Sequence, residues 1–182
     1  MPEACQKGDE KGWYVAIVNN HSEKKYAQLL VKKGYEAYVP VQNVSARSSG
    51  VQSKKGERVL IATMVFVRCA ENERISLLKM PYVKRFMVDK TRVDKYGRHP
   101  VAKIPPRQLD AFRMCVEKMT TPIEIYPVPF HLGDKVRVVE GDFVGLEGNV
   151  LYYAEGEANL VVCLGTLGCL KLNISSDFVI RI

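Results

Sequence analysis

The stretch that most restricts this chain's fold is Gly133-Asp134-Lys135-Val136-Arg137-Val138-Val139-Glu140-Gly141-Asp142-Phe143-Val144-Gly145-Leu146-Glu147-Gly148-Asn149-Val150. Val136 and Val138 alternate with Lys135 and Arg137, as a half-buried strand requires. Gly141, Gly145 and Gly148 follow at short intervals, each able to take a positive φ where the chain reverses tightly. Val150-Leu151-Tyr152 reads as the return strand. Leu160–Leu164 and Cys169–Leu172 are two further strands about the turn Gly165–Gly168, and Asp177–Ile180 is a last one. Four to five short strands in residues 131–182 predict a small barrel of the SH3 kind.

The preceding part of the chain has a different rhythm. Trp13–Val18 is an aromatic and β-branched run, apolar on both faces, and reads as a central strand. Ser22 offers an N-cap, Tyr26, Leu29, Leu30 and Lys33 follow at helical spacing, and Gly34 stands where a C-cap glycine belongs. Lys24, Lys25 and Lys32 then face water. Tyr35–Val44 returns as a strand that Pro40 confines to an edge or bulge. Ser45–Gly56 reads as a mobile basic loop, and Glu57–Arg68 as one long strand. Asn72 caps a short helix to Lys79 with Ile75 and Leu78 inward, and Pro81 stops it. Tyr82–Val88 is a strand, Tyr96-Gly97 a hairpin tip, and Pro105-Pro106 opens a helix with Leu109, Phe112, Val116 and Met119 as its stripe. The order βαββαβ is the ferredoxin-like arrangement. The fold class is therefore α+β: an antiparallel sheet with flanking helices over 12–119, a proline-rich linker over 120–131, and a small β-barrel over 132–182.

Charge separates the two parts. Residues 1–130 hold 23 Lys and Arg against 13 Asp and Glu, while residues 131–182 hold 4 against 7. The first part is the candidate for a nucleic-acid partner. The five cysteines are Cys5, Cys69, Cys115, Cys163 and Cys169, with no CxxC spacing, which argues against a disulfide framework or a zinc site. They read as buried small hydrophobes in a reducing compartment. His21, His99 and His131 are scattered through turns and loops. No run approaches the ~18 apolar residues of a membrane span. Residues 1–10 carry no secretory pattern and read as a frayed tail. A bacterial cytoplasmic monomer without cofactor, metal or membrane is the expectation.

The glycine-punctuated stretch resembles the KOW motif of ribosomal proteins and NusG-type elongation factors. Residues 12–182 as a whole resemble the NusG family. Trp13-Tyr14-Val15 opens the first strand as the family does. Tyr38-Val39-Pro40 matches its "VP", Val65-Phe66-Val67 its third-strand end, and Met80-Pro81-Tyr82-Val83 its "VPxV" turn. The family's aromatic-Pro-Gly-Tyr segment is replaced here by Leu60-Ile61-Ala62-Thr63-Met64. With Met64–Cys69, that wording is more similar to the specialised RfaH-like and UpxY-like paralogues, antiterminators of long surface-polysaccharide (capsular polysaccharide) operons.

The residues form no catalytic constellation, and the glycines are followed by a strand, whereas a phosphate cradle needs a helix. The expected activity is binding. The resemblance implies docking on the clamp helices of RNA polymerase through an apolar depression, with Tyr38, Val41, Met64, Phe66, Met80 and Tyr82 as its candidate residues. It also implies contact with the non-template DNA strand, with Arg74, Lys79, Lys84 and Arg85 as candidates and Tyr82 available for base stacking. Arg47, Lys54, Lys55 and Arg58 form a second basic candidate. The KOW part would recruit a ribosomal protein or a termination factor, its barrel keeping one fold. Alternatives are a general NusG-like elongation factor, or a KOW-containing ribosome- or RNA-binding protein. An RNA-recognition motif is disfavoured because Glu57–Arg68 contains neither glycine nor paired exposed aromatics.

Overall fold

The computed structural model describes residues 10–45, 55–119, 123, 125–126, 133–154, 157–163 and 168–182. Their contacts divide them into two compact units, one drawn from 1–39 and 61–106, the other from 40–60 and 107–182.

The first unit is built on β1 (Gly12–Val18), which is central as its two apolar faces require. α1 (Glu23–Lys32) follows, then β2 (Glu36–Tyr38), β5 (Met64–Cys69), α2 (Glu71–Leu78), β6 (Val83–Phe86) and the short β7 (Lys103–Ile104). The sheet order is β2-β5-β1-β6, all pairs antiparallel, with β7 also on β1. That is the ferredoxin-like order. Residues directly opposite on paired strands share a face. Tyr14, Ala16 and Val18 therefore join Val65, Val67 and Cys69 in one buried cluster under Tyr26 and Leu30 of α1 and Leu77 of α2. Trp13, Val15 and Ile17 point to the other face with Met64 and Phe66.

Several local expectations are corrected. Glu57–Arg68 is not one strand. It breaks into β4 (Lys55–Val59), which pairs with β3 (Val41–Ser45), and β5, which joins the main sheet. The break is at Thr63, whose φ of 64° is left-handed. Its amide N–H donates to the buried Glu23 carboxylate at 2.6 Å, and its carbonyl accepts the Val18 N–H at 2.8 Å. A tertiary carboxylate thus overrides an alternation that reads as continuous. The hairpin β3–β4 also replaces part of the expected basic loop; Arg47 and Lys54 lie outside the described residues. In α2 the inward residue is Leu77, while Ile75 and Leu78 are exposed. Its N-cap is Ala70, whose N–H is held by Glu73 at 2.7 Å; Asn72 accepts the Glu73 N–H. At α1 the Ser22 hydroxyl turns back to Asn19 O at 2.8 Å and caps no helical N–H.

The second unit contains that hairpin, α3 (Pro106–Lys118) and a six-stranded sheet. Its strands are β8 (Ile125–Tyr126), β9 (Lys135–Val138), β10 (Glu147–Ala154), β11 (Glu157–Cys163), β12 (Cys169–Ser175) and β13 (Val179–Arg181), in the order β13-β9-β10-β11-β12-β8. Ile125 and Tyr126, inside the expected linker, are thus a strand on β12. Gly141 and Gly145 take the expected left-handed turn, with φ of 81° and 86°. Gly148 is needed for another reason. A Cβ there would sit 2.7 Å from the Val161 carbonyl oxygen, so it permits β10 and β11 to approach. The buried Gln42 amide holds the end of α3, donating to Met119 O at 3.3 Å and accepting the Ile123 N–H at 3.1 Å.

Candidate interaction surfaces

The expected apolar depression is divided by the sheet. Tyr38, Met64 and Phe66 lie on the face away from α1 and α2, because Phe66 is opposite both Val15 and Tyr38. Phe66 is fully buried and supports the half-buried Tyr38 ring at a centroid distance of 5.8 Å. Met64 is half-buried beside it on the strand. Met80 and Tyr82 pack on the opposite, helix-covered cluster. Val41 belongs to the second unit, opposite Val59 in the hairpin. The six residues therefore make no single surface within either unit. Helical and strand periods read from sequence give the side of an element, and only pairing gives the side of a sheet.

The basic candidates also separate. Arg74 has 12% of its side chain exposed and is bound into a cluster. Its guanidinium donates to Glu71 Oε2 at 3.0 Å through Nε and pairs with Oε1 through its second nitrogen. It also covers the Phe86 and Tyr14 rings at 5.4 and 5.9 Å. Tyr14 donates its hydroxyl to Glu71 Oε2 at 3.1 Å, and Lys103 Nζ lies 5.7 Å from the Tyr14 ring. The Arg74 hydrogen bond holds the Glu71 carboxyl below its usual range, and burial followed by the Glu71 contact pushes the Tyr14 hydroxyl up to about 12. Arg74 is raised, mainly by that same hydrogen bond. This arginine ties β1, α2 and β6 together, and little of its side chain is left exposed.

Lys79 is exposed at the C-cap of α2, and Lys84 and Arg85 are exposed on the edge strand β6. A register shift at Ile17/Val18 lets Val83 and Phe86 both enter the core, leaving Lys84 and Arg85 outward between them. Arg58 is exposed on β4 of the second unit.

One surface was missed. Lys25, Tyr26, Gln28, Leu29 and Lys32 of α1 and Tyr82 line an open hollow of about 320 Å³. Lys25 Nζ stands 5.5 Å from the Tyr82 ring centroid. Lys25, Gln28, Leu29 and Lys32 follow an i, i+3, i+4, i+7 spacing, so one helical stripe was legible. That Tyr82 closes it was not.

The barrel's cations are largely neutralised. Glu147 receives Arg137 at 2.6 Å and Lys135 at 3.2 Å, and Arg181 pairs with Asp134. Those two bonds, Arg137's the larger, hold the Glu147 carboxyl below its ordinary range. No group of three or more potential metal ligands occurs among the described residues, and no helix is long and apolar enough to cross a membrane.

The family model for NusG, described as transcription termination factor nusG, matches residues 11–113. The chain belongs to the NusG family. No curated protein sequence matches this NusG-family chain. Among solved structures it is similar to the NusG of Thermotoga maritima, studied for its domain interaction, at 17% identity over 95% of this chain and 98% of that one, with a TM-score of 0.47. It is also similar to a chain of the MjSpt4:Spt5 complex, at 16% identity over 93% and 96%, with a TM-score of 0.30. The family assignment rests on the sequence match. An α+β fold with antiparallel sheets and a terminal KOW-like barrel is consistent with a transcription factor of this family.

Proposed function

We propose that this NusG-family chain binds RNA polymerase during elongation and suppresses pausing and termination, as an antiterminator of a long polysaccharide-biosynthesis operon in the manner of RfaH-like and UpxY-like paralogues. It acts by binding and not by catalysis. The domain division is 12–119, a linker over 120–131, and 132–182. Tyr38 and Met64 meet the clamp helices of RNA polymerase from the sheet face away from α1 and α2. Aromatic and methionine side chains suit a groove that accepts another protein's helix. The non-template strand runs over Lys25, Lys32, Lys79 and Tyr82, extending to Lys84 and Arg85. The Lys25–Tyr82 hollow carries this part, since it brings a base-sized aromatic face beside cations. The barrel works as a tethered recruiting module for a ribosomal protein or a termination factor. Its cation pairing to Glu147 and Asp134 favours a protein partner over nucleic acid.

The test is co-purification of the full chain with core RNA polymerase, plus run-through assays on generic and polysaccharide-operon templates. Tyr38→Ala with Met64→Ala is expected to lose polymerase binding while the urea midpoint stays near wild type. Lys25→Gln with Lys32→Gln is expected to keep polymerase binding and lose run-through. Wild-type chain that does not bind core polymerase sinks the reading; equal run-through on both templates favours a general elongation factor.

A further inference from the structure

Between β6 and β7 the first unit makes an excursion far longer than a hairpin connection of about 2–5 residues needs. Its base is closed by the bridge Val88–Val101 and by the Asp89 N–H to Pro100 O at 2.8 Å. Two aspartates shape it. Asp89 accepts the Thr91 N–H at 3.0 Å and the Thr91 hydroxyl at 2.6 Å. Asp94 accepts the N–H groups of Tyr96 and Arg98 at 2.8 and 2.9 Å, and Gly97 turns the tip with a φ of 76°. His99 Nδ1 lies 2.8 Å from Arg92 O.

Residues 90–99 are all exposed, and Lys90, Arg92, Lys95 and Arg98 outnumber the two aspartates. Both carboxylates are occupied inside the loop, Asp94 also by the Arg98 guanidinium at 3.4 Å, so Lys90, Arg92 and Lys95 carry the excess positive charge of its outer surface. Tyr96, at 67% exposure, contributes nothing to the core. Lys95 Nζ and Arg98 Cζ instead lie over its ring, at 4.9 and 5.1 Å from the centroid, contacts that a stacking base would have to displace on one face.

We infer that this loop is a binding site for single-stranded nucleic acid, in which a base stacks on Tyr96 and Arg98 while Lys90, Arg92 and Lys95 meet the flanking phosphates. Every nucleotide carries both a π-face and a phosphate, and the loop offers both complements within one turn. A duplex hides its base faces, so the ring would go unused. An acidic protein surface would engage the cations alone. RNA and DNA share this chemistry. The site uses none of the residues assigned to polymerase docking or to the Lys25–Tyr82 hollow, and it stands or falls separately.

Fluorescence anisotropy with the full chain tests it, using labelled DNA and RNA strands of about 12 nucleotides, within the range of a single site. A duplex of the same sequence is the third arm. Tyr96→Ala is expected to weaken single-strand binding at least about fivefold, and Tyr96→Phe to keep it. Lys90→Gln with Arg92→Gln is expected to lower the slope of log affinity against log salt by about 1.4, since two single-strand phosphates are released. These charge variants read the site without altering the ring. The stronger of the DNA and RNA arms identifies the natural strand. Single-strand affinity unchanged within about twofold in Tyr96→Ala, or duplex bound as tightly as either strand, overturns the site. Loss of binding in Lys25→Gln with Lys32→Gln, but not in Tyr96→Ala, overturns it while leaving the proposed function intact.

Discussion

Glu23→Ala tests the contact that splits the long apolar run into two strands. Glu23 is 4% exposed in the first turn of α1, and its Oε1 receives the Thr63 N–H at 2.6 Å. Thr63 is β-branched and left-handed, a conformation costing about 1–2 kcal/mol in an L-residue without external support. A hydrogen bond to a charged acceptor contributes about 1.5–3 kcal/mol, and a carboxylate in a helix's first turn adds about 0.3–1 kcal/mol. The alanine variant should therefore lose about 2–3 kcal/mol, with the Thr63 N–H left without its acceptor. At a urea m-value of about 2 kcal/mol per M, the midpoint falls by about 1–1.5 M with m unchanged. Glu23→Gln keeps an acceptor and should lose about half as much. Thr63→Gly, which relieves the left-handed cost, should recover part of the loss in the Glu23→Ala background. A Glu23→Ala midpoint within about 0.3 M of wild type would refute the reasoning, because the turn would then be held by local sequence alone.

Two further outcomes follow from side-chain environment. Gly148→Ala should destabilise the second unit by about 1–3 kcal/mol in thermal or urea melts, since its Cβ meets the Val161 carbonyl oxygen at 2.7 Å. Gly145→Asn, at a left-handed residue with open space around it, should cost much less; equal losses would mean that backbone conformation, not close approach, governs both. On the alkaline side, the buried Tyr14 hydroxyl is pushed up to about 12, so its neutral form favours the fold. That contribution is complete below the ordinary tyrosine value near 10 and disappears as pH rises toward 12, an upper bound of about 2–3 kcal/mol. Tyr26, also raised by burial, adds in the same direction. Urea melts between pH 9 and 12 should show a shallower decline in Tyr14→Phe than in wild type; parallel curves would mean that Tyr14 ionises without opposing the fold.

The secondary-structure order was largely legible because its signals are local. Pro40 broke the second strand, Gly34 ended α1 with a φ of 86°, and Pro106 began α3, each through its own backbone restriction. The barrel strands were legible from valine alternation and from Gly141 and Gly145. The candidate site was legible only in residue type. Tyr38 and Met64 share a sheet face, but Tyr82 was grouped with them although it packs on the other. Arg74 looked like a surface cation because a sequence does not show Glu71, Tyr14 and Phe86 closing around it.

The sequence by itself determined the family, the α+β order and the contrast between a basic first part and a barrel poor in cations. These depend on residue type, local periodicity and turn chemistry, which act over a few residues. The tertiary structure decided where Glu57–Arg68 breaks, which charges are left for a partner, and which face each aromatic serves. Those depend on contacts across the chain, such as Glu23 to Thr63 and Lys25 to Tyr82, where burial and pairing outweigh the pattern that each segment shows alone. In the glycine-rich stretch both sources act together: Gly141 and Gly145 answer to the local turn, and Gly148 to the approach of β11.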